Sequence, residues 1–232
     1  GAGLVEKAEA LEAAAAAFTS GVSAQAQMTG KVRLATAENL ATGLILPALP
    51  EFRRQYPGIA IELLTDITTV NLHRRDADLA VRMVKPERGN VTFRRLGTLG
   101  YGLYSSPDYA AQRDTNPDSG DYDTDAFITW SERQSHLPAA QWVERILQGH
   151  EPALTTTSLS AQVVAAKAGL GLAVLPHFLA LNAGLICIAS DIGVDQSIYL
   201  VIQSDLTQSR RTRAVADFLV DLVRRNSIRL SG

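Results

Sequence analysis

The sequence predicts an α/β fold built on largely parallel sheets. Three observations carry this. Short apolar runs such as Val32–Ala35, Ile59–Leu64 and Leu79–Val81 alternate with helix-period segments along the whole chain. The junctions between them are marked by Pro-Gly, Asn-Pro, Ser-Gly and lone glycines. The chain has 232 residues, of which 46% are hydrophobic, enough for one large or two small cores.

The elements follow in order. Leu4, Ala8, Leu11, Ala15 and Phe18 are spaced 4, 3, 4, 3, a heptad seam, and Ala13–Ala17 add helix propensity. Two heptads are too short to hold a free coiled coil, so the seam needs either a second subunit or the domain body as partner. An ordinary amphipathic helix fits the pattern equally. Residues 1–20 are therefore expected to form a helix, and the small, polar residues 21–29 a linker. A strand around Val32 and Leu34 precedes a helix from near Leu40 to Tyr56, with Leu44, Ile45, Leu49 and Phe52 on its apolar face. Pro47 and Pro50 fall inside that helix and predict a bend or a restarted turn. Strand, short helix (Val70–Arg75) and strand (Leu79–Met83) follow, then a turn at Pro86–Asn90. Arg94–Ser106, with Gly97, Gly100 and Gly102, reads as one long flexible strand. Asp114–Asp125 reads as a surface loop. Phe127–Trp130, Leu154–Thr157, Leu172–Leu175, Leu185–Ile188 and Ile198–Ile202 read as strands. Ala139–Leu147, Ala161–Ala168, Phe178–Asn182 and Ser209–Arg225 read as helices.

Composition narrows the function. The formal net charge is −2, without the basic surplus of a domain that grips nucleic acid by itself. The single cysteine, Cys187, is flanked by isoleucines and reads as a buried strand thiol, with no disulfide framework possible. No signal peptide and no membrane-length apolar run is visible, so the cytoplasm is the expected location. No nucleophile elbow, HExxH or catalytic carboxylate pair stands out, and Gly169 and Gly171 are too few to cradle a phosphate. No enzyme activity, cofactor or metal is expected. His136 and His177 lack ligand-spaced companions. Asp121, Asp123, Asp125 and Glu132 fit calcium-loop spacing, but Ala126 stands where the sharp turn needs glycine.

Polar residues gather at strand ends, where α/β sheets bind ligands. Thr36, Glu38 and Asn39 follow the first strand and suit a polar small molecule beside helix N–H groups; Glu38 or Asn39 reads equally as a helix cap. Thr65, Asp66, Thr68 and Thr69 follow the second, where turn chemistry is the alternative. Arg82 ends the third and needs a partner: a ligand carboxylate, or Asp66, Asp78 or Glu38 as a structural ion pair. Thr129, Trp130 and Ser131 end a later strand, with Glu132 just beyond; Trp130 suits either a ring-stacking wall or the core. Ser158 and Ser160 open a helix and read equally as caps.

Three segments in order carry a resemblance: GKVRLATAENLATGLILPALPEFRRQYPGIAIEL, NLHRRDADLAVRMVKPERGNVTFRRLGTLGYGLYSSPDY and VVAAKAGLGLAVLP. Together they resemble the effector-binding region of LysR-type transcriptional regulators, from Gly30 to about Arg225, and the heptad helix resembles that family's linker helix. The resemblance implies two Rossmann-like subdomains, as in type II periplasmic solute-binding proteins. Residues 30–99 and 205–227 would form the first and 100–204 the second, with a small-molecule effector in the cleft between them. It also implies a homodimer or tetramer that reaches DNA through an N-terminal winged helix-turn-helix. This chain starts at the linker helix, so it is expected not to bind operator DNA by itself, and no membrane is expected as a partner. By the same resemblance, Thr36 and its neighbours begin the effector contacts, and Thr129–Glu132 face the cleft. A solute-binding protein of a transport system would share the fold and is the alternative.

Overall fold

The computed structural model describes residues 2–26, 28–65, 76–87, 89–113 and 122–232. The expected Val70–Arg75 helix, and Asp66, Thr68 and Thr69, lie outside them. The chain divides into two compact units: Gly1–Val81, Pro86–Phe93 and Leu200–Leu222; and Arg82–Lys85, Arg94–Tyr199 and Val223–Gly232.

Helix α1 (Ala2–Ala26) comes first. It runs six residues past the expected end at residue 20, through Gly21, so most of the stretch read as a linker is helical. The described members of its seam stay uncovered; Leu11 and Phe18 are each 75% exposed.

The first sheet has the order β2-β1-β3-β10-β4. Its strands are β1 (Gly30–Thr36), β2 (Ile59–Leu64), β3 (Leu79–Arg82), β4 (Val91–Leu99) and β10 (Gln196–Gln203). β1 lies between β2 and β3, parallel to both, and Thr36 pairs with Val81 at the carboxyl edge. Val32, Leu34, Leu79 and Val81 are buried beneath helices, as a parallel sheet covered on its faces requires.

From Glu38 to Gln55 the chain is helical, in three stretches: α2 (Glu38–Leu40), a π-helical turn (Ala41–Ile45) and α3 (Leu46–Gln55). The expected bend at the prolines is resolved by that π turn. Pro47 and Pro50 lack N–H groups, and their rings crowd the carbonyls one turn earlier. The turn before them widens, and Leu46 N–H reaches back five residues to the Ala41 carbonyl. Leu40, Leu44, Ile45 and Phe52 are buried on the inner face. The Phe52 ring lies 5.1 Å from Phe218 of α8 (Arg210–Arg225), the last long helix that the sequence leads one to expect.

The second sheet has the order β7-β6-β8-β5-β9. It comprises β5 (Tyr101–Ser105), β6 (Phe127–Trp130), β7 (Leu154–Thr156), β8 (Leu172–Pro176) and β9 (Ile186–Ala189). β6 runs parallel to β7 and β8, whereas β5 is antiparallel to β8 and β9. The five residues of β8 are all buried. Around the sheet stand α4 (Pro107–Gln112), α5 (Pro138–Leu147), α6 (Leu159–Lys167), α7 (His177–Asn182) and the terminal α9 (Ser227–Ser231).

The expected single strand over Arg94–Ser106 is two strands in two sheets. Gly100 breaks it: its N–H donates to the Leu230 carbonyl (2.8 Å) and its carbonyl accepts from His177 N–H (3.0 Å), so neither joins the ladder. A side chain there would strike the Ser231 carbonyl, which is why glycine is needed. Cys187 does lie in a strand, but it is exposed rather than buried, because β9 is an edge strand whose Ile186 is exposed too.

Candidate functional site

In the first unit the carboxyl edge of β1 carries the clearest unsatisfied chemistry. Thr36 is fully buried, yet its Oγ1 has no hydrogen-bond partner among the described residues. Leaving a buried hydroxyl unpaired costs about 1–3 kcal/mol. The cap position of the helix that follows is Ala37, which offers no side-chain hydrogen bond, so neither Glu38 (exposed) nor Asn39 (half-buried) serves as the cap that the sequence allowed. Thr65 follows β2 and is exposed.

Arg82 ends β3, half-buried. Of its three possible structural partners, Asp78 is engaged elsewhere, accepting from Arg33 N–H at 2.8 Å. Glu38 is exposed and forms no ion pair among the described residues, and Asp66 lies outside them.

In the second unit the structure brings Thr129, Trp130 and Ser131 together. They line a pocket of about 260 Å³ with Glu132, Ser135 and Thr155. Thr129 and Thr155 are register partners on β6 and β7. The α5 face contributes Ala140, Val143, Glu144 and Leu147, and Gly149, His150 and Pro152 beyond that helix also line it. Helix α5 starts at Pro138, a residue suited to a first turn, and stops where Gln148 turns left-handed (φ 49°), which carries the chain to Gly149 and His150. Ser131 Oγ donates to Gln134 Oε1 (2.6 Å), so toward the pocket its oxygen remains an acceptor. Ser158 and Ser160 are not in this pocket. Ser158 Oγ accepts from Ala161 N–H (3.2 Å) and caps α6, the alternative that its sequence position allowed; Ser160 is exposed on that helix.

Sequence reading passed over Glu144, Ser135, His150 and Thr155. The signal for Glu144 was present: residues 140, 143, 144 and 147 form one helical stripe, and a lone carboxylate interrupts Ala, Val and Leu. It also passed over Gln162, which is 1% exposed on α6 and whose Nε2 has no partner among the described residues.

Other polar clusters are structural. Asp125, one of the calcium-spaced carboxylates, is gripped by Arg113: Nε to Oδ1 is 2.8 Å and Nη2 to Oδ2 is 2.6 Å, with both side chains about 95% buried. Tyr109 OH donates to the same carboxylate and accepts Ala126 N–H. Among the described residues, no group of three or more His, Cys, Asp or Glu could hold a metal. His177 is buried at the start of α7, its Nδ1 2.6 Å from Tyr104 OH. Burial holds its pKa below the usual histidine value, with Asp195 pulling weakly the other way.

The comparisons agree with this architecture. The model of the LysR substrate binding domain family matches residues 25–224. The chain is 26% identical over 219 residues to the Mau operon transcriptional activator of Paracoccus denitrificans, covering 91% of this chain and 72% of that protein. It is 25% identical over 221 residues to the HTH-type transcriptional regulator CrgA of Neisseria meningitidis, covering 91% of this chain and 73% of that one. Among solved structures, the CrgA regulatory domain superposes with a TM-score of 0.70 at 22% identity, covering 84% of this chain and 98% of that one. The effector domain of AmpR from Pseudomonas aeruginosa gives 0.66 at 15% identity, covering 87% and 98%. With a family match over most of its length and two α/β sheets in the corresponding architecture, the chain belongs to the LysR substrate binding domain family.

Proposed function

We propose that this chain senses a small polar effector, engaged at the carboxyl edge of its first sheet through Thr36 and Asn39 and through Arg82 at the end of β3. The observation that carries the reading is the Thr36 hydroxyl, fully buried at a strand's carboxyl edge without a partner among the described residues. A ligand hydrogen bond would remove that cost. Arg82 supports it, since among the described residues neither Asp78 nor Glu38 forms an ion pair with it. An arginine there suits a ligand carboxylate, which it can grip with two parallel bonds. The shares of Thr129, Trp130 and Ser131 in effector contact rest on family resemblance alone, and those of Ser158 and Ser160 on their place at the start of a helix.

The relatives are transcriptional regulators, and the transport-protein alternative finds no support among them. Among the described residues no helix is long and apolar enough to cross a membrane, which is compatible with a cytoplasmic regulator. The uncovered seam on α1 favours a homodimer, the commonest closed arrangement. A thermal-shift screen of aromatic acids, amino acids and other metabolites tests the sensing reading. A hit should be weakened by ~2 kcal/mol or more in Arg82→Ala, if the arginine meets a carboxylate away from water. A variant that loses stability without ligand while keeping full affinity would make Arg82 a structural residue and remove the anionic effector.

A further inference from the structure

The pocket beside α5 carries a charge that the sensing reading does not use. No lysine or arginine lines it, while two carboxylates do, Glu132 and Glu144. Glu144 belongs to the stripe of α5 that otherwise presents Ala140, Val143 and Leu147, so an anionic group sits beside an apolar wall. Trp130 adds an aromatic surface, and an aromatic face attracts cations. Ser131, its proton committed to Gln134, adds an acceptor oxygen. Two carboxylates, an aromatic ring, hydroxyl acceptors and an apolar helix face are together the chemistry that recognises an organic ammonium ion and repels a carboxylate.

We propose that this pocket is a second binding site, contained within the second unit, for a small primary ammonium ion bearing an apolar or aromatic body. The body would rest against Val143, Leu147 and Trp130, and the ammonium group would donate to Glu132 and Glu144. The volume of about 260 Å³ sets the size. At ~30 Å³ for each water-sized group, it holds roughly nine non-hydrogen atoms. The site uses neither Thr36 nor Arg82 but shares Trp130 and Ser131 with the residues that family resemblance brings to the effector, so a Thr36→Val comparison separates the two readings.

The test compares phenethylamine with phenylacetate, near-isosteric probes of opposite charge, by titration calorimetry on the full chain. Phenethylamine should bind saturably and phenylacetate should not. Glu144→Gln, a conservative change at an exposed position, should weaken the amine about tenfold or more, as loss of a charge-assisted hydrogen bond implies. Glu132→Gln should act in the same direction, and Val143→Trp should block the pocket. Because Val143→Trp risks the fold, the glutamine variants decide the matter. Thr36→Val should leave amine binding unchanged while altering the response to an effector. Equal binding of phenylacetate, amine affinity indifferent to both glutamine variants, loss of amine binding in Thr36→Val, or no amine binding up to about 1 mM would each overturn the proposal.

Discussion

At the scale of single residues, the polar groups divide by whether their partners are already present. Asp125 has them: three bonds from Arg113 and one from Tyr109, in a setting that excludes water. A calcium-spaced carboxylate is thus a structural anchor, and its salt-bridge donor, Arg113, lies outside the calcium-spaced stretch, before Asp121. Removing one member of a buried pair strands the other, so Asp125→Ala should cost about 3 kcal/mol or more in a urea melt. A loss below ~1 kcal/mol would show that the pair is solvated. His177 is a buried histidine. Its folded pKa lies below its unfolded value because burial disfavours the imidazolium. The unfolded chain therefore binds more protons, and stability is full above the unfolded pKa of about 6.5 and falls as pH drops below it. Melting temperature should decline from pH 7 toward pH 5, and His177→Gln should flatten that decline relative to the parent. A parallel slope in the variant would assign the decline to other groups.

At the scale of elements, the sequence was most legible where periodicity and punctuation agree. The strand Val32–Ala35, the buried run Leu172–Leu175 and the stripe of α8 follow directly from apolar spacing, and Pro138 and Ser158 mark helix starts that the structure contains. Reading failed where long-range packing decides. Nothing local says that Gly100 will give its N–H to Leu230 and take the N–H of His177 on its carbonyl, both far along the chain, and so split one strand between two sheets. Two prolines signal trouble in a helix but do not say that a π turn will absorb it. The apolar Ile-Cys-Ile triplet suggested a buried thiol, and only sheet order reveals an edge strand. The candidate site shows the same limit. Strand-end polar residues were visible, but which of them lack partners depends on contacts such as Arg33 with Asp78. Helix α1 carries its own prediction. If its seam pairs with that of a second subunit, Leu11→Glu with Phe18→Glu should shift light scattering from dimer toward monomer. Such a dimer would bury on the order of 1,200–2,000 Å² in total. An unchanged mass would place the dimer contacts elsewhere or remove the dimer.

At the scale of the whole molecule, a sensing domain must gain stability from its effector, by ~2.7 kcal/mol when the ligand exceeds its dissociation constant a hundredfold. The stability forgone in the empty protein has a named location, the unpaired hydroxyl of Thr36 in the first unit. Sites kept for a ligand at the expense of the empty protein are where a substitution can improve stability and harm function together. Thr36→Val keeps the side chain's shape and removes the hydroxyl, so it measures both sides of that trade directly. The account predicts that the empty variant is more stable than the parent by about 1 kcal/mol, and that it binds the screened effector about tenfold more weakly. A variant that is less stable when empty, or that binds the effector with unchanged affinity, would contradict it.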